Sequence, residues 1–215
     1  MGNFLIKSGE TVVFAGDSIT DCGRRDSSYP YGSGYVRQTI DLISARYPNH
    51  GLTFYNEGIG GNTVVDLRDR WADDVLRREP DWVTIKIGIN DIHRTLFNSN
   101  PAEQISLGLF EGAYRDILAR TAKIGARIVL IDPFYISQDT DPASRRSKVL
   151  AIIPEYIGVI SNLAREFGAL RVRTHDLYQT QLQHVLADAL APEPVHPNGS
   201  GHYVIALGLL DVLGW

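Results

Sequence analysis

The chain is poor in cysteine. Cys22 is the single one among 215 residues, so an internal disulfide is excluded and a thiolate-based metal cluster has no ligands to draw on. Basic runs are missing as well. The 21 Lys and Arg are scattered among 25 Asp and Glu, for a net charge of −4, and no stretch is suited to displacing counterions from a nucleic acid backbone. No uninterrupted apolar run approaches the roughly 18 residues of a membrane span. The opening MGNFLIKSGE has neither the basic flank nor the long apolar core of a secretion signal, and Ile6 stands where a myristoylation signal needs Ser or Thr. These absences predict a cytoplasmic protein with no nucleic acid and no membrane as partner. Repeats and low-complexity linkers are lacking too, so one domain over residues 1–215 is expected, with 44% hydrophobic residues to fill its core.

What is present is an alternation of short β-branched runs with longer segments of helical period, the pattern of a parallel sheet covered by helices on both faces. Strands are expected at 11–15, 52–55, 82–87, 127–131 and 170–172. Helical segments are expected at about 34–47, 63–77, 102–124, 143–168, 176–188 and 199–213. Within LFEGAYRDILARTAKIGA, Leu109, Tyr114, Ile117, Leu118 and Thr121 recur at helical spacing, and Gly125 is placed to stop the helix. DPFYISQDTDPASRR reads as one long loop after the fourth strand. Ligands of open α/β sheets bind beyond the carboxyl ends of the strands, so chemistry is sought there.

Four strand-end or pre-helix segments carry it. After the first strand comes Gly16-Asp17-Ser18; the serine is either a nucleophile presented at the mouth of the sheet or, with Asp17, a helix cap. After the second comes NEGIGGNT, whose glycines at 58, 60 and 61 either leave N–H groups facing the cleft or serve a tight connection. A dinucleotide fingerprint begun at Gly58 fails, because Thr63 stands where its third glycine belongs. After the third, Asn90 of GIND either aims its amide at the same cleft or caps a turn. Near the end stands EPVHPNGSGH, with Glu193 three residues before His196. Either a carboxylate at that spacing accepts Nδ1–H and leaves Nε2 free as a base, or His196 is an isolated surface histidine. His202, in the last expected helix, is the rival histidine, and Asp188 is the reserve acid.

Two enzyme alternatives lack their motifs. No G-x-S-x-G elbow of an α/β-hydrolase occurs, and neither H-E-x-x-H nor a Cys/His array of a metal-dependent deacetylase. A sugar-binding module remains as the non-enzymatic alternative, with Trp71, Trp82, Tyr29, Tyr31, Tyr35, Phe134 and Tyr135 as stacking candidates that also suit core or rim packing.

Taken together, GDSIT at 16–20, GIGGNT at 58–63, GIND at 88–91 and VHPNGSGH at 195–202 resemble the GDSL-type esterases, the SGNH hydrolase family, over nearly the whole chain. The resemblance implies a flavodoxin-like three-layer α/β/α sandwich with strand order 2-1-3-4-5, and ester hydrolysis with no cofactor and no metal. It implies Ser18 as nucleophile, His196 as general base, and an oxyanion hole of the Ser18 and Gly61 N–H groups with the Asn90 amide. Where the family usually has aspartate, this chain has Glu193. The stretches GDSITDCGR, GSGY, NTVVDLRDRW, PDWVTIKIGIND and DPFYI further resemble the intracellular acetylxylan-esterase-like branch. That implies a small-molecule ester substrate, an acetylated short sugar, with a lysophospholipase or short-chain lipolytic esterase as the alternative. Asp21 and Arg24 receive no role, and the apolar tail LGLLDVLGW leaves a homo-oligomer open.

Overall fold

The structure, a computed structural model, describes residues 4–215. Residues 1–3, which carry part of the acylation expectation, lie outside the described residues. Strand β1 (Thr11–Gly16) leads into the short α1 (Ser18–Asp21) and then α2 (Tyr35–Arg46). Next come β2 (Thr53–Gly58), α3 (Val64–Asp69), α4 (Trp71–Asp74), β3 (Trp82–Lys86), α5 (Ile89–Phe97) and α6 (Leu107–Lys123). The chain finishes with β4 (Arg127–Ile131), α7 (Arg145–Phe167), β5 (Leu170–Val172), α8 (Thr174–Gln181) and α9 (Gly199–Val212).

All strands run parallel, in the order β2-β1-β3-β4-β5. On one side α2 packs on α9; on the other α3, α6 and α7 pack in series. This is the expected α/β/α sandwich. Covered on both faces, the central strands are continuously apolar: Val12, Val13, Phe14 and Ala15 are buried, as are Val83 and Ile85. In register, Gly16 lies beside Gly58 on one flank and Lys86 on the other, so the ends of β1, β2 and β3 open at one level. That level is the floor of the site.

The structure redraws several elements. The expected helix 63–77 breaks at Arg70 into α3 and α4. The expected 102–124 begins only at Leu107, where Ser106 accepts the Leu109 N–H. Its buried face is Phe110, Ala113, Tyr114, Ile117, Leu118 and Thr121, whereas Leu109 is exposed. The expected 176–188 runs instead from Thr174 to Gln181. Residues 89–97 form a full helix that the sequence read as a strand end followed at most by a turn; at nine residues it is too short for its period to stand out.

One helix, α7, has the length of a membrane span, with a mean hydropathy of 1.2 in its most apolar stretch, but Lys148 and Glu155 interrupt it. Its buried residues, Val149, Ile153, Tyr156, Ile160 and Leu163 among them, recur at helical spacing and make it one layer of the core.

Candidate active site

The site is assembled where β1 gives way to α1. Asp17, the N-cap, accepts the Ile19 N–H at 3.0 Å through Oδ1, and its carbonyl accepts the N–H groups of Thr20 and Asp21 at 3.1 and 2.9 Å. The Ser18 N–H meets no acceptor among the described residues. The capping reading falls on Asp17, which caps the helix, and Ser18 lines a cavity beside it. Ser18 Oγ lies 2.9 Å from His196 Nε2.

The loop 193–196 carries the histidine. Glu193 Oε1 accepts the His196 ring Nδ1–H, and also the His196 backbone N–H at 2.8 Å; Oε2 accepts the Val195 N–H at 2.9 Å. The longer glutamate side chain is thus accommodated by wrapping its own loop around the carboxylate. The Pro194 carbonyl ties that loop to the Ile136 N–H at 2.9 Å. Partial burial pushes the Glu193 carboxyl up, but the Val195 and His196 N–H groups and the imidazole outweigh it and hold it below the usual glutamate range. With Nδ1 carrying the proton, Nε2 is left to accept from Ser18.

Opposite stands the loop after β2. Its glycines have separate duties. A Cβ on Gly58 would come within 2.2 Å of the Asp21 N, so close passage of α1 requires glycine there, and Gly61 takes φ +80°. The Gly60 N–H is bound by Asp21 Oδ2 at 3.1 Å, whereas the Gly61 N–H meets no acceptor among the described residues. Asn90 donates to the Asn62 carbonyl at 2.9 Å. That bond fixes the amide plane and leaves the second N–H of Nδ2 for the cleft. Arg70 braces the loop, reaching Asn62 Oδ1 at 2.8 Å and the Gly16 carbonyl at 3.2 Å.

The residues left without a role now have one. Asp21 holds Gly60 and pairs with Arg25 at 2.8 Å; Arg24 donates to the Gly58 carbonyl at 2.7 Å and pairs with Glu57. Both brace the end of β2 and the loop that follows it. His202 is buried in α9, where burial pushes its imidazole down to about 4, and its Nδ1 accepts the Tyr35 N–H at 3.1 Å. It stays apart from Ser18. Asp188 sits in a separate turn and makes no bond to His196. Trp71, Trp82, Tyr35 and Phe134 are buried in the core and unavailable for stacking on a sugar. Sequence reasoning missed Arg70, for which the only signal was its place in NTVVDLRDRW, and two buried charges, Lys86 and Asp91.

Asp91 Oδ1 accepts the Val64 N–H at 3.0 Å at the head of α3, while Oδ2 is buried without a partner among the described residues. Burial pushes this carboxyl up to about 7, opposed by the Val64 N–H. Because the folded pKa lies above the ordinary 3.8, the cost of burying the charge is absent below that value and grows as pH rises to about 7. Asp91→Asn keeps an acceptor for Val64 and escapes this cost. Its stability relative to the parent is expected to improve by about 2–3 kcal/mol between pH 5 and pH 8. Urea unfolding at the two pH values measures it; a difference independent of pH contradicts the assignment.

Two cavities flank Ser18. One, of about 350 Å³, is lined by Gly61, Asn90, His93, Arg94, Phe97 and their neighbours; the other, of about 250 Å³, by Ser18, Asp21, Cys22, Gly23, Arg25 and Asp26. Burial and the nearby Arg145 hold the His93 imidazole down. A larger cavity, about 720 Å³, lies on α8 and α9 and includes none of the residues above. The arrangement at Ser18 is that of an activated hydroxyl facing a group of free donors, suited to acyl transfer.

Comparison with known proteins agrees. Residues 14–204 match the model of the GDSL-like lipase/acylhydrolase family. The chain is 37% identical to an acetylxylan esterase of Geobacillus stearothermophilus, over 98% of this chain and 96% of the other. The crystal structure of that organism's Axe2, an acetylxylan esterase, superposes with a TM-score of 0.90 at 36% identity, covering 98% of this chain and 97% of that one. LAE5, an alpha/beta hydrolase enzyme from the metagenome of Lake Arreo, gives a TM-score of 0.90 at 32% identity, covering 99% and 98%. Axe2 variants with a serine, a histidine or an aspartate changed to alanine are called catalytic mutants. Fold, site geometry and full-length similarity converge: the chain belongs to the GDSL-like lipase/acylhydrolase family and is a carboxylic ester hydrolase.

Proposed function

We propose that the protein removes acetyl groups from short xylose-based sugars through an acyl-enzyme formed on Ser18. The observation that carries the chemistry is the run of contacts from Ser18 Oγ through His196 to Glu193. Ser18 Oγ attacks the ester carbonyl carbon as its proton passes to His196 Nε2. The negative carbonyl oxygen is received by the N–H groups of Ser18, Gly61 and the Asn90 amide. His196 then gives the proton to the departing sugar oxygen, and the C–O bond breaks. Water, deprotonated by the same histidine, repeats the attack, releasing acetate and the free serine.

The substrate assignment draws on the acetylxylan esterases to which the chain is similar and on the two cavities beside Ser18. Both are small, and neither is walled by aliphatic side chains, which suits a short acyl group on a polar alcohol better than a lipid tail. A cytoplasmic site of action belongs to this proposal, supported by the unpaired Cys22. The test is kcat/KM on acetylated xylo-oligosaccharides and on aryl esters of increasing acyl length. Acetyl is expected to be best, with a loss of about tenfold or more at long acyl chains, since a misfit methylene costs on the order of 1 kcal/mol or more. Preference for long acyl chains would instead indicate a lysophospholipase and overturn the sugar assignment.

A further inference from the structure

Lys86 is the last residue of β3 and its side chain is wholly buried, as is that of Asp17, with which it pairs: Nζ lies 3.1 Å from Oδ2 and 3.4 Å from Oδ1. The ring of Phe134 lies 4.9 Å from the same ammonium. A buried ion pair is weak evidence for stability, because desolvating both charges offsets most of their attraction. Its location is more telling. Lys86 stands in register with Gly16, one residue before Asp17, and Asp17 binds the N–H groups of Ile19, Thr20 and Asp21. The N–H groups that follow Ser18 in the turn are thereby taken up, while the Ser18 N–H meets no acceptor among the described residues.

We propose that Lys86 is a positioning residue for ester cleavage: by clamping the Asp17 carboxylate from beneath, it fixes the turn that presents the hydroxyl and the N–H of Ser18. The inference rests on the reading of Ser18 as nucleophile. Without the ammonium, the carboxylate is left buried and uncompensated, and it relieves this by shifting toward water or taking a proton, either of which disturbs the turn. An asparagine at 17 has no such need, since its side-chain oxygen still accepts the Ile19 N–H and asparagine is an equally good N-cap.

Three proteins therefore separate the roles: Lys86→Met, Asp17→Asn, and the double variant. Each is titrated with an organophosphate, so that kcat refers to reactive enzyme only, and each is melted to record Tm. Failure of the parent to be labelled at Ser18 would discard the nucleophile reading itself, before any variant is compared. Lys86→Met is expected to lose about 10- to 100-fold in kcat, the scale of a small misplacement of reacting groups, with KM nearly unchanged. The double variant is expected to recover to within about tenfold of the parent, although it restores neither charge. Asp17→Asn alone, leaving the ammonium buried and unpaired, is expected to be slower than the double variant. A lower Tm with unchanged kcat in Lys86→Met makes the pair merely structural and overturns the proposal. So does a folded double variant as slow as the single one. Should Lys86→Met fail to fold, the double variant decides: folded and inactive overturns, folded and active supports.

Discussion

Ser18→Ala is expected to lower kcat by about 10⁴- to 10⁶-fold while leaving the Tm where it was. The two halves of this result have separate causes. Asp17, rather than Ser18, caps α1 and binds the N–H groups of its turn, and Ser18 is only partly buried at the rim of the sheet, so the fold loses one exposed contact to His196. On the proposed mechanism the chemistry loses the atom that forms the acyl-enzyme. The oxyanion donors survive, which leaves a residual rate from binding and charge stabilisation alone. Asn90→Ala provides the graded comparison. It removes one of three donors and should cost about 10²–10³-fold in kcat. A purified Ser18→Ala protein retaining more than about a thousandth of the parent kcat would sink the nucleophile assignment.

Much of this was legible in the sequence because the family's chemistry is concentrated at the ends of strands. Continuous apolar runs such as TVVFA and WVTI announce strands buried on both faces, and the residues just beyond them line the cleft. The spacing of Glu193 and His196 was legible for a local reason: three residues is the reach of one tight loop, and that loop closes on the carboxylate through its own N–H groups. What was hidden is whatever depends on contacts between distant segments. Arg70 reaches Asn62 and the Gly16 carbonyl, and no local pattern marks an arginine that braces a loop. Lys86 read as one polar residue in a strand; only the stacking of β3 beside β1 sets it under Asp17. The helix α5 escaped because it is only nine residues long, although its polar residues serve the site: Asn90 and His93 line a cavity and Asp91 holds the head of α3. Its apolar positions Ile89, Ile92 and Leu96 keep helical spacing, but over fewer than the roughly 11 residues from which a period is read.

His196→Ala belongs beside Ser18→Ala, with an expected loss of the same order, about 10⁴- to 10⁶-fold in kcat, because nucleophile and base act as a unit and either deletion disables both. The carboxylate partner is separable, and here replacement by glutamine is more informative than by alanine. Glu193→Gln can keep a side-chain oxygen for the Val195 N–H, but it can set an amide N–H against His196 Nδ1. Nδ1 must then accept, the ring proton moves to Nε2, and the face toward Ser18 becomes a donor unable to take the serine proton. The expected cost is about 10³–10⁴-fold. In Glu193→Ala no group enforces that wrong tautomer, and both Glu193 and His196 are substantially exposed, so water can serve Nδ1 and the loss should be smaller. The pH dependence follows with a definite sign. The Glu193 carboxyl is held below its usual range, so it remains charged as pH falls until the strongly acid region, and the orienting contact is lost only there. A fall of the parent's kcat/KM on the mildly acid side therefore reflects a group other than Glu193, which stays ionised there. Profiles of kcat/KM for the parent and the two Glu193 variants test this directly. Equal rates in Glu193→Gln and the parent would show that some other group orients the histidine, and a parent rate independent of pH on the acid side would remove His196 from the role of base.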